Sequence, residues 1–108
     1  MRVCVIDGRG GGLGSRLVAG LRDTLTPDCE ILALGTNLAA AEAMKEAGAE
    51  HVASGADAIS RLVPTADVIV ASLNLVLPGA MLGEVTSDVA KTILEAKAKK
   101  VLLPMNRV

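Results

Sequence analysis

The stretch Val3-Cys4-Val5-Ile6-Asp7-Gly8-Arg9-Gly10-Gly11-Gly12-Leu13-Gly14-Ser15-Arg16 joins an apolar run to an amphipathic one through five glycines in seven residues. Arg2 to Asp7 has the length and β-branched content of a buried strand. Beyond the turn, Leu13, Leu17, Leu21 and Leu25 recur every four residues with Val18 beside them, and Ser15, Arg16, Arg22 and Asp23 fall elsewhere. That spacing predicts a helix with one sheet-facing stripe. Thr26-Pro27-Asp28 stops it.

The same alternation continues outward. Glu30 to Leu34 reads as a second strand, and Gly35-Thr36-Asn37 leads into a helix through about Ala47, with Asn37 as its cap and Gly48 as its terminator. A short third strand near His51 to Ala53 precedes a brief helix, Ala56 to Leu62, halted by Pro64. Asp67 to Leu73 is apolar along nearly its whole length, as a strand covered on both faces should be. Asn74 to Val85 is apolar yet broken by Pro78, Gly79 and Gly83, and reads as an irregular connection. Thr86 or Ser87 then caps a helix with Val89, Ala90, Ile93, Leu94 and Ala96 as its buried face and Lys97, Lys99 and Lys100 at its end, before a final strand from Val101 to about Pro104. Five strands with right-handed crossovers predict a Rossmann-like three-layer α/β fold, an open parallel sheet ordered 3-2-1-4-5, in one domain spanning 1–108.

Composition removes several function classes. The 108 residues are 51% hydrophobic and include no Phe, Tyr or Trp. Aromatic platforms for nucleic-acid bases and any Tyr acid or base are therefore excluded. The net charge of −1, with both signs interspersed, leaves no electrostatic footprint for nucleic acid or an anionic membrane. Cys4 and Cys29 lie in no metal-like or redox-like spacing, and Asp7 interrupts the N-terminal apolar run before a signal-peptide core could form, so a cytoplasmic protein with reduced thiols is expected. Val68 to Leu82 is too short and too interrupted to span a bilayer.

In this sheet order a ligand sits beyond the carboxyl ends of the strands where the order reverses. That edge collects Asp7 to Arg16, Gly35 to Asn37, Ser54 and Gly55, Ser72 to Asn74 and Pro104 to Arg107. His51 opens its strand at the opposite edge, and Cys4 sits inside the first strand, so structural roles are expected for both. The glycines free backbone amides at a helix start, a site for an anion, with Arg9 and Arg16 adding charge. G-x-G-x-x-G fails, because Leu13 or Ser15 stands where the third glycine is required. The P-loop fails too, because Ser15 and Arg16 replace its Lys and Ser/Thr.

Gly8, Gly12 and Gly14 do match G-x-x-x-G-x-G, and the turn resembles the cofactor loop of short-chain dehydrogenases. That family's catalytic Tyr is missing here, and Gly35-Thr36-Asn37 stands where an acid or an Arg would select NAD or NADP, so neither is specified. A mononucleotide or another small phosphorylated ligand is the better expectation and an adenosine half-site of a dinucleotide the next. The predicted ligand set is Gly8, Arg9, Gly10, Gly11, Gly12, Gly14 and Ser15 for phosphate, with Thr36, Asn37, Ser72 and Asn74 for a sugar or base. Asp7 has two readings: a ligand contact, or an acceptor of amide hydrogen bonds that shapes the turn. No nucleophile with its base, carboxylate dyad or metal cluster is visible, and Glu84 and Asp88 are the only other acids near this edge.

The segments VIDGRGGGLG, ALGTN, PGAMLGEVT and KAKKVLLPMNR together resemble a family of short uncharacterised bacterial proteins, classed as a domain of unknown function with a Rossmann-like reading. The resemblance runs nearly end to end. It implies the fold, and it implies that members continue past Met105-Asn106-Arg107, so a shortened C-terminus is expected at Val108. Two functions remain: a module binding a nucleotide or phosphometabolite at the glycine turn, or a homodimeric interaction protein that pairs through its apolar segment Leu75 to Leu82.

Overall fold

A computed structural model describes residues 1–104. Its elements run β1 (Arg2–Asp7), α1 (Gly12–Thr24), β2 (Glu30–Gly35), α2 (Leu38–Glu46), β3 (His51–Ser54), α3 (Ala56–Leu62), β4 (Val68–Ser72), α4 (Ser87–Glu95) and β5 (Lys99–Leu103). Short 3₁₀ turns follow α3 at Val63–Thr65 and β4 at Leu73–Val76. All neighbouring strands pair in parallel in the order β3-β2-β1-β4-β5, so this is the expected Rossmann-like three-layer α/β arrangement.

Side-chain alternation divides the core. Val3, Val5, Ile31, Ala33 and Val70 pack with Val18 of α1 and Met44 of α2. Their strand neighbours Cys4, Ile6, Leu32, Leu34, Ile69 and Ala71 pack with Ile59 of α3 and Val89, Ala90 and Ile93 of α4. Period two along each strand thus feeds two helical layers. In the same parity, Asp7 and Ser72 finish β1 and β4 on the α1 side. The register sets them side by side, because Ile6 is opposite Ala71.

The caps follow local chemistry. Asn37 Oδ1 accepts from the Ala40 amide at 2.8 Å and Thr86 Oγ1 from the Val89 amide at 3.2 Å. Cys4 is fully buried in β1, and burial pushes its thiol up to about 12, so it packs as a small apolar residue. His51, exposed at the start of β3, pairs with Glu30 at 3.0 Å.

Three expectations need correction. Lys97, Lys99 and Lys100 do not end the last helix: α4 stops at Glu95, and β5 begins at Lys99 rather than Val101. Parallel pairing of Lys99 with Val68 recruits this polar start, and Lys100 Nζ reaches back from the strand to the Ala96 carbonyl at 2.5 Å. Leu94, assigned to the buried face of α4, is exposed. Leu13 leaves the packed stripe of α1, where Leu17, Leu21 and Leu25 remain, and lines a cavity instead. In the segment Leu75 to Leu82, Leu75 and Val76 are buried, Ala80 and Met81 are half-buried against the core, and Leu77 and Leu82 are exposed. The expected functional-edge residues 105–107 lie outside the described residues.

Candidate functional site

The turn between β1 and α1 is built by two carboxylates. Asp7, only 5% exposed, accepts the Gly8 amide on Oδ1 at 2.8 Å and the Gly14 amide on Oδ2 at 2.7 Å. It therefore shapes the turn. Burial above all pushes its carboxyl up from the ordinary aspartate range, while the Gly14 and Gly8 amides pull it back; the charge of Glu84 adds to the rise and that of Arg16 opposes it. The second carboxylate, Glu84, arrives from the β4–α4 loop. Its Oε1 accepts the Arg9 amide at 2.9 Å, the Thr36 hydroxyl at 2.6 Å and the Asn37 side-chain amide at 2.9 Å. These bonds, Thr36 foremost, hold its carboxyl below the usual glutamate range.

The glycines then fall into two groups. Gly11 has φ +74°, and a Cβ there would lie 2.9 Å from the Ala40 carbonyl oxygen. At Gly14 a Cβ would meet Asp7 Cβ and Met44 Sδ, both at 2.7 Å, so this glycine lets α1 lie close on β1 and α2. Gly8 is roofed by Thr36, Met81 and Glu84. By contrast, a Cβ at Gly10 or Gly12 would meet nothing within 4 Å, and neither residue has positive φ. No packing or backbone demand of the protein accounts for those two.

The backbone amides divide in the same way. Gly8, Arg9 and Gly14 donate to the carboxylates, Gly11 donates to the Gly8 carbonyl and Ser15 to the Gly11 carbonyl. Among the described residues no acceptor meets the amides of Gly10, Gly12 and Leu13. Arg9 at φ 53° and Gly11 at φ 74°, both left-handed, bracket Gly10 in a turn at the start of α1, a kind of backbone that can present amides to an anion; this turn is called the nest below.

This nest opens on a cavity of about 240 Å³ lined by Asp7 to Leu13 on one side and by Ser72, Asn74 and Met81 on the other. Ser72 is 2% exposed, and its Oγ has no hydrogen-bond partner among the described residues. Wider depressions beside α3 and α4 are lined by Asp57, Ser60, Asp88, Lys91, Thr92 and Glu95. They are solvated helix faces, without the convergent amides of the turn.

Of the predicted ligand residues, Gly8, Arg9, Gly10, Gly11, Gly12, Ser72 and Asn74 share this cavity. Gly14 is packed beneath it, and Ser15 donates from its hydroxyl to the Gly11 carbonyl at 2.7 Å. Thr36 and Asn37, expected to hold a sugar or base, are committed to Glu84, and Asn37 also donates to the Arg9 carbonyl at 3.0 Å. Glu84 was visible in sequence only as an acid near this edge; Gly79 and Gly83, both left-handed and flanking its loop, were the signal that the chain folds back there. Among the described residues no group of three His, Cys, Asp or Glu side chains could hold a metal, and no helix is long and apolar enough to cross a membrane.

Sheet order, edge and nest define a Rossmann-like α/β domain with a glycine-rich turn at its topological switch point. The chain belongs to the family described as Domain of unknown function (DUF3842), which matches residues 2–108. A search of curated proteins returns no match.

Proposed function

We propose that the domain binds a small phosphorylated ligand, a mononucleotide or phosphometabolite, with its phosphate on the amides of Gly10, Gly12 and Leu13. The observation that carries this reading is the coincidence of three unpartnered amides with two glycines whose missing Cβ serves nothing within the protein. Arg9, and Arg16 on the second turn of α1, supply positive charge to this end of the sheet. Two free thiols, Cys4 and Cys29, fit a cytoplasmic location within the same proposal. A thermal-shift panel of inorganic phosphate, sugar phosphates and nucleotides tests it. Stabilisation by a phosphorylated compound, lost in Gly12→Val, is the expected result; no shift with any member of the panel refutes it.

A second reading, homodimerisation, draws on Leu77 and Leu82, which are 47% and 91% exposed on the β4–α4 loop. Sedimentation across a concentration series decides it. A monomer throughout, with Leu82→Glu unchanged in behaviour, removes the idea.

A further inference from the structure

Glu84 uses only one of its two carboxylate oxygens. Oε1 accepts from the Arg9 amide, the Thr36 hydroxyl and the Asn37 side-chain amide, so its acceptor capacity is taken. Oε2 has no hydrogen-bond partner among the described residues, and unlike Ser72 Oγ it is not sealed from solvent. The bonds from Thr36, Arg9 and Asn37 hold the carboxyl below the usual glutamate range, so at neutral pH Oε2 is an acceptor with open lone pairs. Asp7 offers nothing comparable, because the Gly8 and Gly14 amides take one oxygen each.

The position of this carboxylate gives the free oxygen a meaning. In sheets of this order an acid just past the second strand accepts ribose hydroxyls of a nucleotide whose phosphate lies on the glycine turn. Here Thr36 and Asn37 follow β2 and neither is acidic, yet both bind Glu84, so the fold brings a carboxylate to that place from the β4–α4 loop. The same Oε1 holds the Arg9 amide at 2.9 Å, and the next amide along the chain is the free one of Gly10. Consecutive residues are about 3.8 Å apart, so the carboxylate and an amide open to an anion are neighbours. An ionised acceptor there takes hydroxyls and repels a second phosphate, and no aromatic in the chain can stack on a base.

Resting on the phosphate reading above, we propose that Glu84 Oε2 accepts the 2′- and 3′-hydroxyls of a ribose whose 5′-phosphate lies on the glycine-turn amides, so that the ligand is a 5′-phosphorylated ribose, free or within a ribonucleotide. Calorimetric titration of the full chain with inorganic phosphate, ribose 5-phosphate, AMP and 2′,3′-dideoxy-AMP tests this, on wild type and Glu84→Gln. Gln keeps an oxygen for the three donors and puts a neutral amide in place of the charged acceptor. AMP binds wild type about tenfold more tightly than its dideoxy analogue, the worth of a hydrogen bond to a charged group, and in Glu84→Gln that ratio falls to about threefold or less. Ribose 5-phosphate matches AMP if the source is the free sugar phosphate and binds more weakly than AMP if it is a nucleotide. If the phosphate compounds bind wild type but AMP no more tightly than dideoxy-AMP, a comparison that needs no variant, the role given to Glu84 is wrong while the phosphate reading stands. A ratio that survives in Glu84→Gln has the same consequence. If none of the four binds to wild type, both fall together.

Discussion

Gly12 and Gly14 lie two residues apart in the first turn of α1, and replacing each with alanine should move stability in opposite directions. A Cβ at Gly14 would sit 2.7 Å from Asp7 Cβ and 2.7 Å from Met44 Sδ. Ordinary carbon contacts are about 3.5–4.0 Å, so α1 must back away by about 1 Å or Met44 must repack. The sulfur can yield; Asp7 Cβ, fixed to β1, cannot. Overpacking of this kind costs about 1–3 kcal/mol, offset in part by the helix propensity of Ala over Gly, about 0.8–1.0 kcal/mol. At Gly12 the added Cβ meets nothing within 4 Å and the backbone is not left-handed, so the main effect is a less disordered unfolded chain. That stabilises by about 0.4–1 kcal/mol. With roughly 4 °C per kcal/mol for a domain of this size, Gly12→Ala should melt about 2–4 °C higher, and Gly14→Ala up to about 8 °C lower. Thermal melts followed by circular dichroism, without ligand, read both. A Gly12→Ala protein that melts as low as Gly14→Ala would show that the turn's open glycines are structural after all, and the separation of the glycines into two groups would collapse.

Asp7→Asn keeps one acceptor but turns an amide donor toward either Gly8 or Gly14; it should lower stability by about 2–3 kcal/mol, seen as a shifted denaturation midpoint with unchanged slope. Glu84, whose folded carboxyl titrates below its unfolded value, contributes stability that is present above about pH 4.5 and lost as pH falls through the folded value; the Glu84→Gln protein should lack that part of the acid-side decline in a pH series of melts. Asp7 has the opposite sign: its raised folded value makes its ionisation oppose folding, so its contribution is fully present below the unfolded value and lost as pH rises through the folded one. Subtracting the pH profile of Asp7→Asn from that of wild type should expose that slope. Leu82 is exposed at φ 57°, so Leu82→Asn, which tolerates the left-handed region, should raise the melting temperature by a few degrees; no rise would show that the loop carries no strain there.

Periodicity made the sheet legible because the two kinds of element bury different patterns. Val3, Val5 and Val70 pack on one face and Cys4, Ile6 and Ile69 on the other, so β1 and β4 needed apolar residues throughout. β5 was less legible because it lies at the sheet edge, where Lys99 and Lys100 can face solvent and still join the ladder. The glycine turn was legible as a candidate site, but not the division of labour within it. Nothing in G-x-x-x-G-x-G distinguishes Gly14, pressed against Asp7 Cβ, from Gly12, which touches nothing. That distinction depends on how closely α1 approaches β1. The bonds of Thr36 and Asn37 to Glu84 were not legible for a related reason: Glu84 lies 48 and 47 residues away, and only the fold brings it to them.

The two carboxylates explain how the proposed anion site can coexist with acids. Asp7 would repel phosphate if its charge faced the cavity unshared, but Gly8 and Gly14 amides absorb it, and those are amides the nest does not need. Glu84 takes the Arg9 amide in the same way, and its remaining bonds go to Thr36 and Asn37 rather than toward Gly10 and Gly12. Each acid therefore spends its charge on a donor that would otherwise compete for the ligand or be left unpaired. What is left unpaired at the turn is the amides of Gly10, Gly12 and Leu13. Free amides are ordinary at a helix start; what sets this one apart is that they coincide with Gly10 and Gly12, where a Cβ would meet nothing within 4 Å.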